Sequence, residues 1–143
     1  MSLTRPQTVI SLAGARAAIA GAFAKATELG VAVNIAVADL GGNLVSFDRM
    51  DGAALMSASI AQDKAISVVS FKGLPTHGWS ELFAGDDESV GRGIPLRPGL
   101  VIFGGGIPIV LDGELVGAVG CSGGSSEEDR LIAEAGAAAV LDR

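Results

Sequence analysis

One imidazole dominates the chemistry that this sequence could support. His77 is the only histidine among 143 residues. It stands two positions before the only tryptophan, Trp79, and follows a Gly-Leu-Pro segment that breaks a helix. A lone histidine can act as a general base, bind a metal or haem iron, or cap a helix at the surface. We keep two hypotheses for His77, a functional role at a pocket rim and a surface cap.

Three charged side chains are the other candidates for catalysis. Arg49 and Asp51 flank the end of a predicted strand. They predict either a turn held by an Arg–Asp pair, with Asp51 capping the next helix, or a site in which Arg49 holds a carboxylate and Asp51 is the base. Lys64 lies mid-helix among apolar residues, where lysine is rarely buried without a partner. Three alternatives remain for Lys64: a side chain that snorkels to the surface, an ion pair with Asp63, Asp129 or another subunit, or a functional role as an anion binder or catalytic amine.

Backbone groups offer a second kind of site near the end of the chain. Residues 117–129 indicate a buried strand, a turn of small residues and a capped helix start. Such a junction directs several N–H groups and the positive end of a helix toward one point, which suits an anionic or polar ligand. A three-glycine turn at 104–106 predicts a hairpin or a close approach of backbone to ligand. The ligand-binding residues that we predict are Arg49, Lys64, Gly105, Gly106, Ser122, Gly123 and Gly124.

Metal and thiol chemistry have little support. Cys121 is the only cysteine, which excludes an internal disulfide and a cysteine-rich metal site. A buried thiol is the expected state of Cys121, and a thiolate stabilised by the following helix is the alternative. The acidic cluster at 86–88 does not match an EF-hand and is expected to be a solvated loop. We therefore predict no resident metal site.

Composition limits the classes of partner. The net charge is −6 and only 4% of residues are aromatic, so we expect no nucleic-acid binding. There is no apolar run long enough to span a bilayer and no visible signal peptide, so a cytoplasmic protein without membrane association is expected. Hydrophobic residues make up 49% and charged residues 18%. This balance favours a globular domain with apolar surface covered by other subunits, hence a homo-oligomer.

The elements that must position these residues can be placed from the pattern. After a loose leader at 1–9, we predict a helix from Ser11 to Leu29 that stops at Gly30. A hairpin over 31–47 and a helix over 53–71 follow, then a short helix over 76–83 capped by Thr76, and a long loop over 84–99. Strands are predicted at 100–103, 107–111 and 114–121, with a last helix over 126–141 that begins with a capping box. This order predicts one α+β domain, 1–143, with a five-stranded, mainly antiparallel sheet.

Several segments together resemble the GlcG/HbpS-like family, often labelled haem-degrading, which includes the C-terminal domain of PduO-type cobalamin adenosyltransferases. The segments are IAVADLGGNL at 35–44, RMDGA at 49–53, DKA at 63–65, GGGIPI at 104–109 and GAVGCSGG at 117–124, followed by Asp129. The resemblance implies a profilin-like fold of α-β-α layers and a homo-oligomer, often with a ligand site near a subunit interface. It also implies that haem or a corrinoid is possible as a bound group, because some members bind one of these.

Two functions follow from these observations. The first is a small oligomeric binding protein for a haem-like tetrapyrrole or a small acidic metabolite. The second is a cofactor-independent enzyme, an isomerase, tautomerase, lyase or hydrolase, acting on a small carboxylated catabolic intermediate with His77, Asp51 and Lys64 as catalytic residues. A scaffold domain without a ligand is a third possibility. Haem iron usually takes His, Cys, Met or Tyr, and this chain has no Tyr, so a haem role depends on His77, Cys121, Met50 or Met56, or on an unusual oxygen ligand.

Overall fold

The chain forms a four-stranded antiparallel sheet with helices on both faces. The computed structural model describes residues 1–141; residues 142 and 143 of the predicted domain lie outside the described residues. The strands are β1 (Asn34–Asp39), β2 (Leu44–Arg49), β3 (Gly106–Leu111) and β4 (Glu114–Ser122), in the order β2-β1-β4-β3. The helices are α1 (Leu12–Leu29), α2 (Met56–Ser70), α3 (Trp79–Phe83), α4 (Glu88–Gly93) and α5 (Ser126–Leu141). Short 3-10 turns cover Thr76–Gly78 and Ile94–Leu96.

The first helix and hairpin form where their local signals predict. The Ser11 side chain accepts a hydrogen bond from the N–H of Gly14, and Gly30 closes α1 in the left-handed conformation at φ 70°. Asp39 Oδ1 accepts from the N–H groups of Gly41 and Asn43, which holds the turn between β1 and β2. Both elements are therefore specified locally.

Two cores lie on opposite faces of the sheet. The larger one packs α1 and α5 against the face that carries Ile35, Val37 and Val119. The smaller one packs α2 against Ala38 and Ala118. A Cβ at Gly120 would collide with the carbonyl of Ala61, so this glycine lets the backbone of α2 lie directly on β4. The α-β-α layering matches the prediction.

The predicted fifth strand at 100–103 is wrong. Residues 100–103 have no strand pairing, so the sheet has four strands. The reason is that this segment bonds to α2 instead of to a strand, since the N–H of Val101 donates to Ser67 Oγ at 3.0 Å. The three glycines after it consequently do not form a hairpin turn. They connect this segment to β3, and Gly105 adopts φ 127°.

Other boundaries shift by a few residues. The helix predicted over 53–71 spans Met56–Ser70, and the loop predicted over 84–99 contains α4 and a 3-10 turn. The short helix predicted over 76–83 begins as a 3-10 turn. Thr76 does not cap it; Thr76 Oγ1 instead accepts from the N–H of Gly106 at 2.9 Å. This hydrogen bond links the start of the segment 76–103, which lies between α2 and β3 in the chain, to the edge strand β3.

Candidate functional site

A buried ion pair joins α2 to α5. Lys64 is fully buried, and its Nζ lies 2.9 Å from Asp129 Oδ2. The same Nζ donates to the carbonyl of Cys121 at 2.8 Å and lies 4.9 Å from the centroid of the Phe103 ring. Two hydrogen bonds and one cation–π contact therefore occupy the ammonium group. Of the partners predicted for Lys64, the structure shows Asp129.

Asp129 organises the junction that the sequence predicted as an anion-binding nest. Asp129 Oδ1 accepts from the N–H of Gly124 at 2.9 Å. The predicted capping box is confirmed, since Glu128 Oε1 accepts from the N–H of Ser125 at 2.9 Å and Ser125 Oγ accepts from the N–H of Glu128 at 3.1 Å. The chain's own carboxylates thus take the amides that a bound anion would use.

The three-glycine segment fits closely around this pair. A Cβ on Gly105 would contact the Cys121 carbonyl and would lie 2.7 Å from Lys64 Nζ. A Cβ on Gly106 would lie 2.5 Å from Thr76 Cγ2 and 2.8 Å from the Lys64 carbonyl. Both glycines are required for packing against the chain itself, whatever they do for a ligand.

Cys121 is a buried thiol, as the sequence predicted. Its Sγ lies 3.9 Å from Asp129 Oδ1. Burial raises the pKa of the Cys121 thiol strongly, and the neighbouring Asp129 carboxylate raises it further, while Lys64 acts in the opposite direction. The thiol is therefore protonated at neutral pH and is a poor iron ligand or nucleophile.

Arg49, Asn34 and Ser122 form one row across three strands. Asn34 of β1 pairs with Arg49 on one side and with Ser122 on the other. Directly paired residues share a face of the sheet, so these side chains project toward the α2 side. Arg49 is exposed, while Asn34 and Ser122 are buried. Two strand spacings, about 10 Å, separate the backbones of Arg49 and Ser122.

Asp51 lies in the exposed turn before α2. It was predicted to cap this helix, but the N-cap residue is Leu55 and no side chain bonds to the helix start. Among the salt bridges of residues 1–141 there is none between Asp51 and Arg49. Asp51 therefore makes neither the helix cap nor the ion pair with Arg49 that the sequence suggested.

His77 lies close enough to α5 for the charged residues of that helix to act on it. Burial lowers the pKa of His77 below its ordinary value of 6.5, and the nearby positive charge of Arg130 lowers it further. Its Nδ1 is buried and has no hydrogen-bond partner among the described residues. Arg130 itself is ion-paired with Glu134 at 2.8 Å. His77 is consequently a neutral imidazole at neutral pH, beside an arginine.

The structure thus divides the predicted site residues into groups. Lys64, Gly105 and Gly124 meet around Asp129, and Gly106 packs against the backbone of Lys64. Arg49 and Asp51 belong to the β2 edge of the sheet, whereas His77 adjoins β3 at the opposite edge through Thr76. Ser122 lies in the Arg49 row, and Gly123, at φ 144°, contacts the Ala32 carbonyl and Val33.

A cavity that the sequence analysis missed lies between α2 and the segment over 94–100. Its volume is about 350 Å³, within the range of small-molecule pockets. Trp79 lines it and contacts two other rings, Phe71 in a tilted arrangement and Phe83 in a stacked one, at centroid distances of 4.8 and 5.8 Å. The one available signal was the placement of the sole tryptophan close to a loop with Arg97 between two prolines. The lining residues are Asp63, Ile66, Ser67, Ser70, Phe71, Trp79, Ile94, Arg97, Pro98, Gly99 and Leu100.

Two kinds of feature are not found in the described part of the chain. Within residues 1–141, no cluster of three or more His, Cys, Asp or Glu side chains is arranged to hold a metal ion. In the same range, no helix has the length and apolar character needed to cross a membrane.

Comparisons with known proteins give one family. The family model described as "Haem degrading protein HbpS-like" matches residues 10–138. An uncharacterised 15.0 kDa protein of the dhaT-dhaS intergenic region in Citrobacter freundii is 37% identical over 134 residues, which cover 94% of each chain. The crystal structure of the Klebsiella pneumoniae protein ORFY has a TM-score of 0.90 and 34% identity, and the match covers 100% of this chain and 98% of that one.

A haem complex is among the similar structures. The crystal structure of the PduOC:haem complex has a TM-score of 0.82 and 32% identity, covering 92% of this chain and 95% of that one. The resemblance inferred from the segments between residues 35 and 129 is therefore confirmed. This chain belongs to the HbpS-like family.

Proposed function

We propose that this protein is a small-molecule-binding protein that takes a haem-like tetrapyrrole and works as a homo-oligomer. The observation that carries the proposal is the family match over residues 10–138, together with a haem complex of a similar chain at 32% identity. Fold alone would be weak support for a ligand. The side chains of this molecule must therefore be tested against the needs of a tetrapyrrole.

An iron-bound tetrapyrrole needs an accessible axial ligand. Cys121 is fully buried and protonated, and Met50 is packed against the larger core. Met56 is accessible, since 77% of its surface is exposed at the start of α2. His77 is half-buried, and its lowered pKa keeps the imidazole in the neutral form that binds metals. Of these residues, His77 is the axial ligand that we assign.

Among the described residues, Arg130 is the one positive charge that acts on His77, among the negative charges of Glu81, Glu127 and Glu134, and it can meet a carboxylate of a haem-like ring. Arg130 is partly exposed, with 40% of its side chain accessible, and it contributes positive charge at His77. Arginine binds carboxylates through two parallel hydrogen bonds. Bound haem would supply an iron centre with redox and ligand-exchange chemistry. The chain's contribution would be to hold the ring through His77 and to orient it through Arg130.

Titration with haemin tests this proposal. We expect a shift of the Soret band that saturates at one haemin per chain. In His77→Ala the shift should be lost, or the affinity for haemin should fall by tenfold or more. In Met56→Ala the shift should be retained. Absence of a saturable shift at micromolar protein would contradict the tetrapyrrole ligand, and an unchanged shift in His77→Ala would contradict the assigned ligand residue.

The oligomer is supported by apolar side chains on the outer surface of the α1/α5 layer. Leu12, Phe23 and Leu141 are 47%, 45% and 58% exposed. Side chains of this size on one layer of a small protein favour burial against another copy. Light scattering coupled to size-exclusion chromatography should give a mass that is a multiple of 14.2 kDa; a monomer at micromolar concentration would contradict this part of the proposal.

A small acidic metabolite is the second candidate ligand, favoured by the 350 Å³ cavity beside Arg97. The cofactor-independent enzyme is less well supported. His77 and Asp51 belong to opposite edges of a four-stranded sheet, about 14 Å apart at strand spacing. Lys64 is enclosed with its own counter-ion. Within one chain these three residues do not converge on a reacting atom.

A further inference from the structure

The cavity between α2 and the segment over 94–100 has walls that are fixed by the chain itself. Ser67 Oγ donates to the Asp63 carbonyl at 2.7 Å and accepts from the N–H of Val101 at 3.0 Å. This serine is only 3% exposed. The bonds tie the end of the outer segment to the middle of α2. The cavity is therefore built into the fold and does not require closure of a loop.

The polar groups of the cavity are of two kinds. Arg97 and Asp63 both line it, yet no salt bridge joins them among the described residues. The Asp63 carboxylate reaches the rim, since a Cβ on Gly99 would lie 3.9 Å from its Oδ1. A ligand in the cavity can thus meet a guanidinium and a carboxylate.

Trp79 forms an aromatic wall of the cavity. It is 3% exposed, and its indole Nε1–H is buried with no acceptor among the described residues. Because this nitrogen has no exposed surface, a ligand in the cavity meets the ring of Trp79 and not its N–H.

The remaining walls are mostly apolar. They are formed by Ile66, Phe71, Ile94, Pro98 and Leu100, with Ser67 and Ser70 as further polar lining residues. A ligand must therefore carry an apolar or aromatic part as well as its polar groups.

We propose that this cavity binds a small carboxylic acid that has an apolar body and a hydroxyl group near the carboxylate. The carboxylate accepts from Arg97, the apolar body packs on the Trp79 ring, and the hydroxyl donates to Asp63. None of these residues belongs to the site predicted from the sequence. The inference rests on the proposed small-molecule-binding function and specifies its second candidate ligand, the small acidic metabolite. It is independent of tetrapyrrole binding.

The emission of Trp79 is a built-in reporter, because it is the only tryptophan. Three probes of similar size separate the contributions: mandelate has carboxylate and hydroxyl, phenylacetate lacks the hydroxyl, and 1-phenyl-1,2-ethanediol lacks the carboxylate. We expect mandelate to change the emission saturably, phenylacetate to bind about fivefold more weakly, and the diol to bind about tenfold or more weakly. Isothermal calorimetry should give the same order.

Matched variants assign the contacts. Arg97→Gln should weaken the binding of mandelate about tenfold or more. Arg92 is an exposed arginine outside the cavity, and Arg92→Gln should leave the binding of mandelate unchanged. Asp63→Ala should remove the preference for mandelate over phenylacetate. Trp79→Phe, followed by calorimetry, should keep the order of affinity of the three probes, because phenylalanine retains the aromatic wall. Circular dichroism of each variant confirms that it is folded.

Two results would overturn the inference. One is the absence of any saturable response or heat with mandelate up to about 10 mM, and the other is equal mandelate affinity in Arg97→Gln and Arg92→Gln. A haemin titration on the same preparation separates the two proposals. Haemin binding without mandelate binding removes this inference and leaves the proposed function, whereas failure of both removes both.

Discussion

Replacing Lys64 by Met should destabilise the fold severely. The substitution keeps an unbranched side chain of similar length but removes the ammonium that lies 2.9 Å from Asp129 Oδ2 and 2.8 Å from the Cys121 carbonyl. Asp129 is 3% exposed, so its carboxylate would remain buried without its counter-ion. Breaking a buried pair in this way costs about 3–5 kcal/mol. Since a domain is stable by about 5–15 kcal/mol in total, about a fifth or more of the stability would be lost.

Urea unfolding followed by circular dichroism measures this loss, and Lys25→Met is the matched control. Lys25 pairs with Glu28 at 3.2 Å, but the Glu28 side chain is 68% exposed, so the control should change the free energy of unfolding by about 0.5 kcal/mol or less. In thermal unfolding, Lys64→Met should lower Tm by about 10–15 °C. If the two variants differ by less than about 1 kcal/mol, the reasoning that assigns α2–α5 docking to this pair is refuted.

Three further predictions concern the same region and the histidine. Gly105→Ala should destabilise the protein by about 3 kcal/mol or more, because its Cβ would meet Lys64 Nζ at 2.7 Å and φ is 127°, whereas Gly93→Ala, with open space around it, should be near neutral; chemical unfolding compares them. The Cys121 thiol, whose pKa is raised by burial, should not react with a disulfide reagent in the native state and should give one equivalent in denaturant. Burial lowers the pKa of His77 in the folded state below 6.5. Below pH 6.5 the unfolded chain therefore binds more protons than the folded chain. The stability that neutral His77 contributes should be lost as pH falls from about 6.5 through the lowered folded pKa, and His77→Gln should flatten this part of the pH profile; an identical pH dependence in both proteins would contradict it.

The fold was predictable where the signals are local. Ser11 and Gly30 delimit α1, and Asp112 and Gly113, at φ 50° and 80°, form the tight turn between β3 and β4 that the Asp-Gly pair predicts. The strand expected at 100–103 failed because β propensity depends on context. There, a hydrogen bond from Val101 to Ser67 and the placement of Phe103 over Lys64 override strand pairing.

The candidate site was predictable only in part, because its residues are distant along the chain. The sequence indicated that Lys64 needs a partner, but 65 positions separate it from Asp129, and local pattern cannot choose among acids at that range. It also indicated free amides after β4, yet only the tertiary structure shows that Asp129 and Glu128 accept from them. The cavity at Trp79 was missed because its walls come from α2 and a segment without periodic pattern.

The most direct test of the central claim is the crystal structure of the protein with haemin, with the iron located by its anomalous scattering. The account predicts one iron per chain within bonding distance of the His77 imidazole and a ring carboxylate on Arg130. An iron peak away from His77, or haemin bound with neither residue in contact, would contradict the assignment.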